Sequence, residues 1–375
     1  MHIITFSSHP SSNRGGQELS LLEVCRNLHQ KGHCITLLHS HEGDLLSQYR
    51  LFCKSVVPVN AYKILRKKHL FSFLRDLIRV ALVKGDLVYS NQYYDCFLGA
   101  ALVYLKRIPL FCHLRTPAPE ALASTDLQLK LGLQAVTRFI AVSQETRRGW
   151  VKLGFSEKKI AVVYNGTDIE RFKPANNIHS LRQAWGIQEK TQVISYVGRL
   201  DVVKGLESLI RAVALMIEKK ADVTLVIAGQ PAYQKVTYVD ELKQLVQKLS
   251  IANQVKFLGH LSDTVPIYQL SDVTVLPSIY SEPFARSTIE SMACGTPVVM
   301  SDIGGTVELL REKFPEWLFE PGNPHSLAKT IQPILDWRTT QPGLGNLCCH
   351  HISVEFSIQN TIDQIESIMM SEISV

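Results

Sequence analysis

Ser281-Glu-Pro-Phe-Ala-Arg-Ser-Thr-Ile-Glu-Ser-Met-Ala-Cys-Gly-Thr-Pro-Val-Val-Met300 is the stretch around which the rest of the chain is read. An acidic residue and a proline open a loop that runs into a short helix, and Pro283 suits a first helical turn, where its missing N–H is no loss. Gly295 and Pro297 mark the stop, and Val298-Val-Met300 reads as the next buried strand. Glu282 then precedes the helix and Glu290 lies about two turns inside it. Backbone amides near Phe284, Ala285 and Arg286 would point at whatever lies above them, a site for an anion.

Glu282 and Glu290 have seven residues between them, inside Glu-Pro-Phe … Glu-Ser-Met-Ala-Cys-Gly-Thr-Pro-Val-Val. This pattern resembles the signature of retaining glycosyltransferases of family 4, which have the GT-B fold. A bare glutamate pair on a surface helix would be two solvated carboxylates, but here the Pro, Phe, Met, Gly and Pro positions fit as well. One position departs: a glycine is usual after the phenylalanine, and Ala285 would crowd a phosphate by one methyl. The resemblance implies an α/β protein of two Rossmann-like domains facing across a deep interdomain cleft. It is strongest from about residue 193 to 310 and weaker in the first half, where acceptor binding would lie.

The chain has 375 residues, which suits two domains better than one core. A hydrophobic content of 46% with 20% charged residues describes a globular chain, and no run approaches the roughly 18 apolar residues of a membrane span. Met1-His-Ile-Ile-Thr-Phe6 reads as a strand and lacks the long apolar core of a signal peptide. Eight cysteines are scattered without any C-x-x-C, so a reduced cytoplasmic protein without structural zinc is expected. The formal charge of +6 favours acidic ligands, a membrane surface or nucleic acid without choosing among them.

Short apolar runs alternate with helical patterns in the first half, the rhythm of a parallel sheet. Strands are expected at Ile3–Phe6, Ile35–Leu38, Leu87–Ser90, Leu110–His113, Arg138–Val142 and Ile160–Tyr164. The first ends in a turn carrying Gly15 and Gly16, with a helix from near Leu19. A glycine pair there allows close backbone approach to a phosphate, although a plain tight turn looks the same and the G-x-G-x-x-G spacing of a dinucleotide site is missing. Asn165 to Pro174 is turn-rich and resembles the family's interdomain segment, placing a boundary near residue 170.

A second α/β series follows, with strands expected at Val193–Val197, Val223–Ala228, Val255–Leu258 and Val273–Leu276, each ending in a glycine or proline loop at one sheet edge. Residues 338–351 fit nothing regular and are read as a loop; Ser353–Met370 reads as a closing amphipathic helix that the resemblance packs back on the first domain. The expected division is therefore 1–170, 171–352 and 353–375.

Arg199 and Lys204 lie in a glycine-bounded loop, Gly-Arg-Leu … Lys-Gly, which resembles the family's phosphate-binding loop. A guanidinium beside an ammonium is a good means of holding a diphosphate. By resemblance, Glu290 accepts hydrogen bonds from the donor ribose, Glu282 faces the sugar, and His113 contacts the transferred sugar, with Arg115 competing for that role. Ser143 resembles the family's small polar residue beyond the next strand. Gly15 and Gly16 would face the donor diphosphate together with Phe284, Ala285 and Arg286; Gly229-Gln-Pro231 and Lys256-Phe-Leu-Gly259 would border the base.

The function expected is transfer of a sugar from a UDP- or GDP-linked donor to a glycan, lipid-linked or small-molecule acceptor, with retention and without any further cofactor. No Asp-x-Asp occurs and the His and Cys residues show no metal-ligand spacing, so no divalent metal is expected. A nucleic-acid partner is not expected either. A non-catalytic GT-B subunit and a sugar-nucleotide epimerase are the alternatives. Finally, residues 63–84 carry seven Lys and Arg against one Asp, with Leu70, Phe73, Leu74, Leu77, Ile78 and Ala81 at helical spacing. Such a stripe is core by default; the other reading is peripheral docking on the inner face of an anionic membrane.

Overall fold

The computed structural model describes residues 1–60, 62–64, 70–122, 126–231 and 236–373. Two compact units emerge, Met1–Asn165 with Gln359–Val375, and Gly166–Ile358. The chain thus divides after Asn165, ahead of the 170 read from the sequence.

Among its described residues the first unit holds seven strands: β1 (His2–Ser7), β2 (Cys34–His39), β3 (Ser55–Pro58), β4 (Leu87–Ser90), β5 (Leu110–Leu114), β6 (Arg138–Ala141) and β7 (Ile160–Val162). They pair in parallel in the order β3-β2-β1-β4-β5-β6-β7. Crossover helices cover both faces of such a sheet, so its central strands are continuous apolar runs rather than alternating ones. β1 is buried along its whole length, and Ile4, Phe6, Val88, Leu110 and Trp150 lie in its core cluster. β3 escapes a reading by pattern because it is a half-exposed edge strand ending at Pro58.

The strand order reverses between β1 and β4, which puts the loops after those two strands side by side. Asn91, after β4, donates from Nδ2 to the Gln17 carbonyl at 3.3 Å. Ser7 donates to Glu18 Oε2 at 2.6 Å and Gln92 to Glu18 Oε1 at 3.2 Å. Ser8 donates to Asp95 Oδ2 at 2.9 Å. Both carboxyls are buried, and burial raises both pKa values against the lowering effect of their serine donors. Asp95, also facing the Glu18 charge, is pushed up to about 7.

The second unit repeats the plan with β8 (Gln192–Val197), β9 (Val223–Ala228), β10 (Val255–Gly259), β11 (Val273–Leu276), β12 (Val298–Ser301) and β13 (Leu318–Phe319) among its described residues, in the order β10-β9-β8-β11-β12-β13. All pairs are parallel. Here the reversal lies between β8 and β11, and the Ile279 amide after β11 donates to the Val203 carbonyl after β8 at 3.0 Å.

Three expectations are corrected. The 338–351 stretch is largely helical, in Trp337–Thr340 and Leu344–Glu355. Its glycine, proline and histidine content hid a buried face of Leu344, Cys348, His351 and Ile352 that packs on the helix Arg286–Ala293. The closing helix runs Ile358–Ile373, not from Ser353. Phe356 stays with the second unit, stacked on Phe284 at 5.5 Å, while Ser357 bridges Thr167. Beyond that break, Ile362, Ile365 and Met369 are buried in the first unit, where Thr361 donates to the Tyr164 carbonyl at 3.0 Å. The stripe at 70–81 is also divided: Phe73 and Val80 are buried, whereas Leu70, Leu74 and Ile78 are exposed.

Gly229 is needed for its lack of a side chain. At φ 145°, a Cβ there would fall 1.8 Å from the Gly198 carbonyl oxygen. Gly15, at φ 99°, has nothing within 4 Å of such a Cβ. Gly15→Ala is therefore expected to cost backbone strain alone, about 1–3 kcal/mol, and Gly229→Ala more, because the ends of β8 and β9 must also separate. Urea unfolding of both variants checks the order. Asp95 supplies a second prediction. Its raised pKa means that its contribution to stability is complete below its ordinary value of 3.8 and is lost as pH rises through about 7. Asp95→Asn should thus gain stability over the parent across that window and hold a constant advantage above it. Equal pH profiles in urea titrations would refute this.

Candidate active site

The reversal between β8 and β11 brings Lys204 and Glu282 together from loops far apart in sequence. Lys204 ends a 3-10 turn, Val202–Lys204, whose start is capped by the Asp201 carboxylate; Gly205 follows at φ 66°. A Cβ on Gly205 would lie 2.1 Å from the Pro277 carbonyl oxygen, so only glycine lets the two loops approach. The Lys204 ammonium pairs with Glu282 Oε1, and Ser278 donates to that same oxygen at 2.8 Å. Their side chains are 17% and 14% exposed, sheltered enough for the pair to matter and open enough for a ligand to reach. Arg199 is more open and faces Asp201, Nε to Oδ2 3.9 Å, while its carbonyl accepts from the Tyr196 hydroxyl at 2.7 Å. Gly229 donates to the Gly259 carbonyl at 2.7 Å and Leu200 to the Gln230 carbonyl at 3.0 Å. The ends of β8, β9 and β10 are thereby tied into one edge.

The helix read as starting at Pro283 starts at Arg286. Glu282 explains the delay. Its carbonyl accepts from Gly305 at 2.7 Å and Thr306 at 3.3 Å, and its backbone bridges Gly304, so the chain stays extended through Ala285 (ψ 128°). Glu290 consequently sits one turn inside the helix rather than two. The Ala285 amide is not open to an anion, since it donates to Thr306 Oγ1 at 3.0 Å. Both carboxylate oxygens of Glu290 are held in place. Arg286 donates to Oε1 from Nε and Nη2 at 3.2 and 3.0 Å, and buried Tyr268 donates to Oε2 at 2.9 Å. Phe284 is buried behind this helix against Phe356.

In the first unit, Gly15 caps the helix Gly16–Gln30, and Glu18 stands in its first turn. His113 lies buried in β5. Its Nδ1 meets the Tyr89 hydroxyl, which also accepts from Arg115 Nη2 at 3.4 Å. With Arg115 donating, the phenolic proton is left for Nδ1, and the ring proton falls on Nε2, a buried atom without a hydrogen-bond partner. Burial first, and the Arg115 charge second, hold the ring neutral, its pKa well below the usual 6.5. Arg115 is consumed by structure, donating to Asn91 Oδ1 at 2.7 Å and Asn165 Oδ1 at 2.8 Å. Ser143 caps the helix Gln144–Lys152, accepting from the Thr146 amide at 3.2 Å. Its hydroxyl thus has a local task that suffices to explain it.

Tyr89, Tyr268, Ser278, Thr306, Glu18 and Asp95 were not foreseen. All but Ser278, which donates to Glu282 four residues on, act on partners distant in sequence, and only Glu18, three residues past Gly15, carried a local signal. Among the described residues no group of three His, Cys, Asp or Glu side chains gathers in a way that could hold a metal.

Known proteins resemble this chain along most of its length. The family model described as glycosyl transferases group 1 matches residues 177–342, and that described as glycosyltransferase family 4 matches 14–171. An uncharacterized glycosyltransferase of Methanocaldococcus jannaschii is 30% identical over 269 residues, covering 68% of this chain and 67% of that protein. A D-inositol 3-phosphate glycosyltransferase of Corynebacterium glutamicum is 25% identical, over 98% of this chain and 94% of its own. HepE of Anabaena, solved in complex with UDP and glucose, superposes with a TM-score of 0.85 at 25% identity, covering 98% of this chain and 99% of that one. With two Rossmann-like units, each built on a parallel sheet, and both family models matched in order, the chain belongs to the family 4, group 1 glycosyltransferases of GT-B fold.

Proposed function

We propose that this glycosyltransferase takes a sugar from a nucleotide-diphosphate donor and passes it, with retained anomeric configuration, to a glycan, lipid-linked or small-molecule acceptor. The observation that carries the reading is the Lys204–Glu282 pair at the strand-order reversal of the second unit, where open α/β sheets bind ligands. Support for the donor class comes from HepE, which has been solved with UDP and with UDP-glucose. A UDP- or GDP-linked sugar is proposed here. The relatives reported above are named as glycosyltransferases, which favours transfer over an epimerase or a non-catalytic subunit.

As the glycosidic bond loosens, negative charge grows on the leaving diphosphate and the sugar becomes oxocarbenium-like. Lys204 and Arg199, fixed on one loop, supply cations against that growing charge without reorganising. In the absence of donor, Glu282 keeps the Lys204 charge compensated; with donor bound, the ammonium turns to phosphate and Glu282 faces the sugar. Glu290, held by Arg286 and Tyr268, offers the ribose hydroxyls an oriented acceptor. On the first unit, a neutral His113 with its proton on Nε2 is a hydrogen-bond donor for a sugar hydroxyl. We further propose that no divalent metal is required, because fixed cations perform the charge-neutralising part of its task.

Turnover of a suitable sugar nucleotide should survive excess chelator; loss that only magnesium or manganese reverses would overturn the metal-free reading. Lys204→Ala should lose about 2–4 kcal/mol of transition-state stabilisation, read from kcat/KM. Glu290→Ala should weaken binding of nucleoside diphosphate in calorimetry, whereas Glu282→Gln should keep that binding and lose turnover. If both variants bound and turned over like the parent, the assignment of the site would be wrong.

A further inference from the structure

The helix Leu70–Ala81 has two apolar faces, and only one of them is covered. Phe73 and Val80 point into the core, Phe73 stacking on Phe97 of the helix Cys96–Lys106 at 5.5 Å. On the other side Phe71, Leu74, Ile78 and then Leu82 recur at helical spacing, and Phe71, Ile78 and Leu82 are 88%, 65% and 83% exposed. Lys106 donates to the Ala81 and Val83 carbonyls at 2.9 Å, so the two helices end together. Tyr104 and Leu105 extend the exposed apolar surface there. A run of large apolar side chains in water is more than the scattered exposure of an ordinary surface.

The charge around this face has one sign. Arg75 and Arg79 interrupt the apolar row, and Lys84 and Arg107 flank its end, all exposed. The acid of the same helix, Asp76, is buried, accepting at Oδ2 from the Asn60 amide and Nδ2 at 2.6 and 2.5 Å. Its Oδ1 lies 3.9 Å from Arg75 Nε and 3.7 Å from Arg79 Nη2, and Arg79 also donates to the Pro58 carbonyl, yet the two arginine side chains stay 72% and 50% exposed. Arg66, Lys67 and Lys68 of the basic 63–84 stretch lie outside the described residues. A second copy of the chain would bring these arginines against one another, whereas a sheet of lipid phosphates would neutralise them. The helix has 12 residues, and among the described residues no helix is long and apolar enough to cross a membrane.

We propose that this face of the first unit docks on the surface of an anionic lipid bilayer. Phe71, Leu74, Ile78 and Leu82 enter the boundary between headgroups and acyl chains, and Arg75 and Arg79 meet lipid phosphates. An amphipathic helix with a basic border binds in this way, by buried apolar area plus attraction to anionic lipid. The inference goes beyond the catalytic reading and stands without it, since none of these residues belongs to the proposed donor site.

Flotation with vesicles of phosphatidylcholine, alone or mixed with phosphatidylglycerol, tests it on the full chain. The parent should float with the anionic vesicles and be released by high salt. The triple change Phe71→Ser, Ile78→Ser, Leu82→Ser should reduce binding at least about tenfold. Arg75→Gln with Arg79→Gln should reduce it about 25-fold on anionic vesicles, about fivefold per arginine, and leave binding to neutral vesicles unchanged. Thermal unfolding should match the parent because the changed side chains are exposed; if the triple variant does not fold, the arginine pair carries the test alone. The proposal falls if the parent does not float, or if the variants float equally. It also falls if light scattering shows a dimer that the changes to this face dissolve, which would make the face a contact between copies.

Discussion

The Lys204 ammonium rests on the Glu282 carboxylate because a parallel sheet reverses its strand order between β8 and β11. At such a reversal two crossover connections leave in opposite directions, and the loops above the strands are left facing each other. Everything in the candidate donor site depends on that adjacency. Gly205 permits it, with no Cβ to meet Pro277, and the Ile279–Val203 hydrogen bond fixes it. Once Glu282 is pinned to Gly305 and Thr306, the following residues stay extended, and the helix that carries Glu290 begins three residues after Pro283. A charge pair with low exposure on both sides would be costly if either partner were lost, so the site is compensated before any ligand arrives.

The first unit uses the same topology for different chemistry. Its reversal between β1 and β4 gathers buried carboxyls and their serine donors, Glu18 with Ser7 and Asp95 with Ser8, where the second unit has a cation. Beside them the Tyr89 hydroxyl accepts from Arg115 and orients neutral His113. The two units thus fill equivalent loops differently: one presents the Lys204 ammonium, the other buried carboxyls whose pKa values are raised by burial, beside a neutral His113.

An exposed apolar face on the first unit adds a third kind of surface. It is built by the same helix that closes the core through Phe73 and Val80, so covering and exposing apolar area are tasks of opposite sides of one element. Asp76 is buried beneath the exposed side chains of Arg75 and Arg79, 3.9 and 3.7 Å from them.

Much of this was legible in the chain itself. Buried parallel strands are unbroken apolar runs, and glycine and proline punctuate their ends, so the α/β class, most strands and the loops bearing Arg199, Lys204, Gly229 and Glu282 could be located by local pattern alone. What the pattern did not contain were partners distant in sequence. Thr306 occupies the Ala285 amide, Tyr268 holds Glu290 Oε2, and Asn91 with Asn165 holds Arg115. The helix Leu344–Glu355 was read as a loop, without the order that its buried face imposes, and the local pattern did not show that Ser143 caps a helix. Periodicity also could not tell a covered apolar face from an open one, because Phe73 and Phe71 are equally apolar and differ only in what packs against them. Sequence fixes the positions of apolar and special backbone residues, since those preferences act within a few residues; pairing and burial are set by groups brought together from across the chain, and only the tertiary structure decides them.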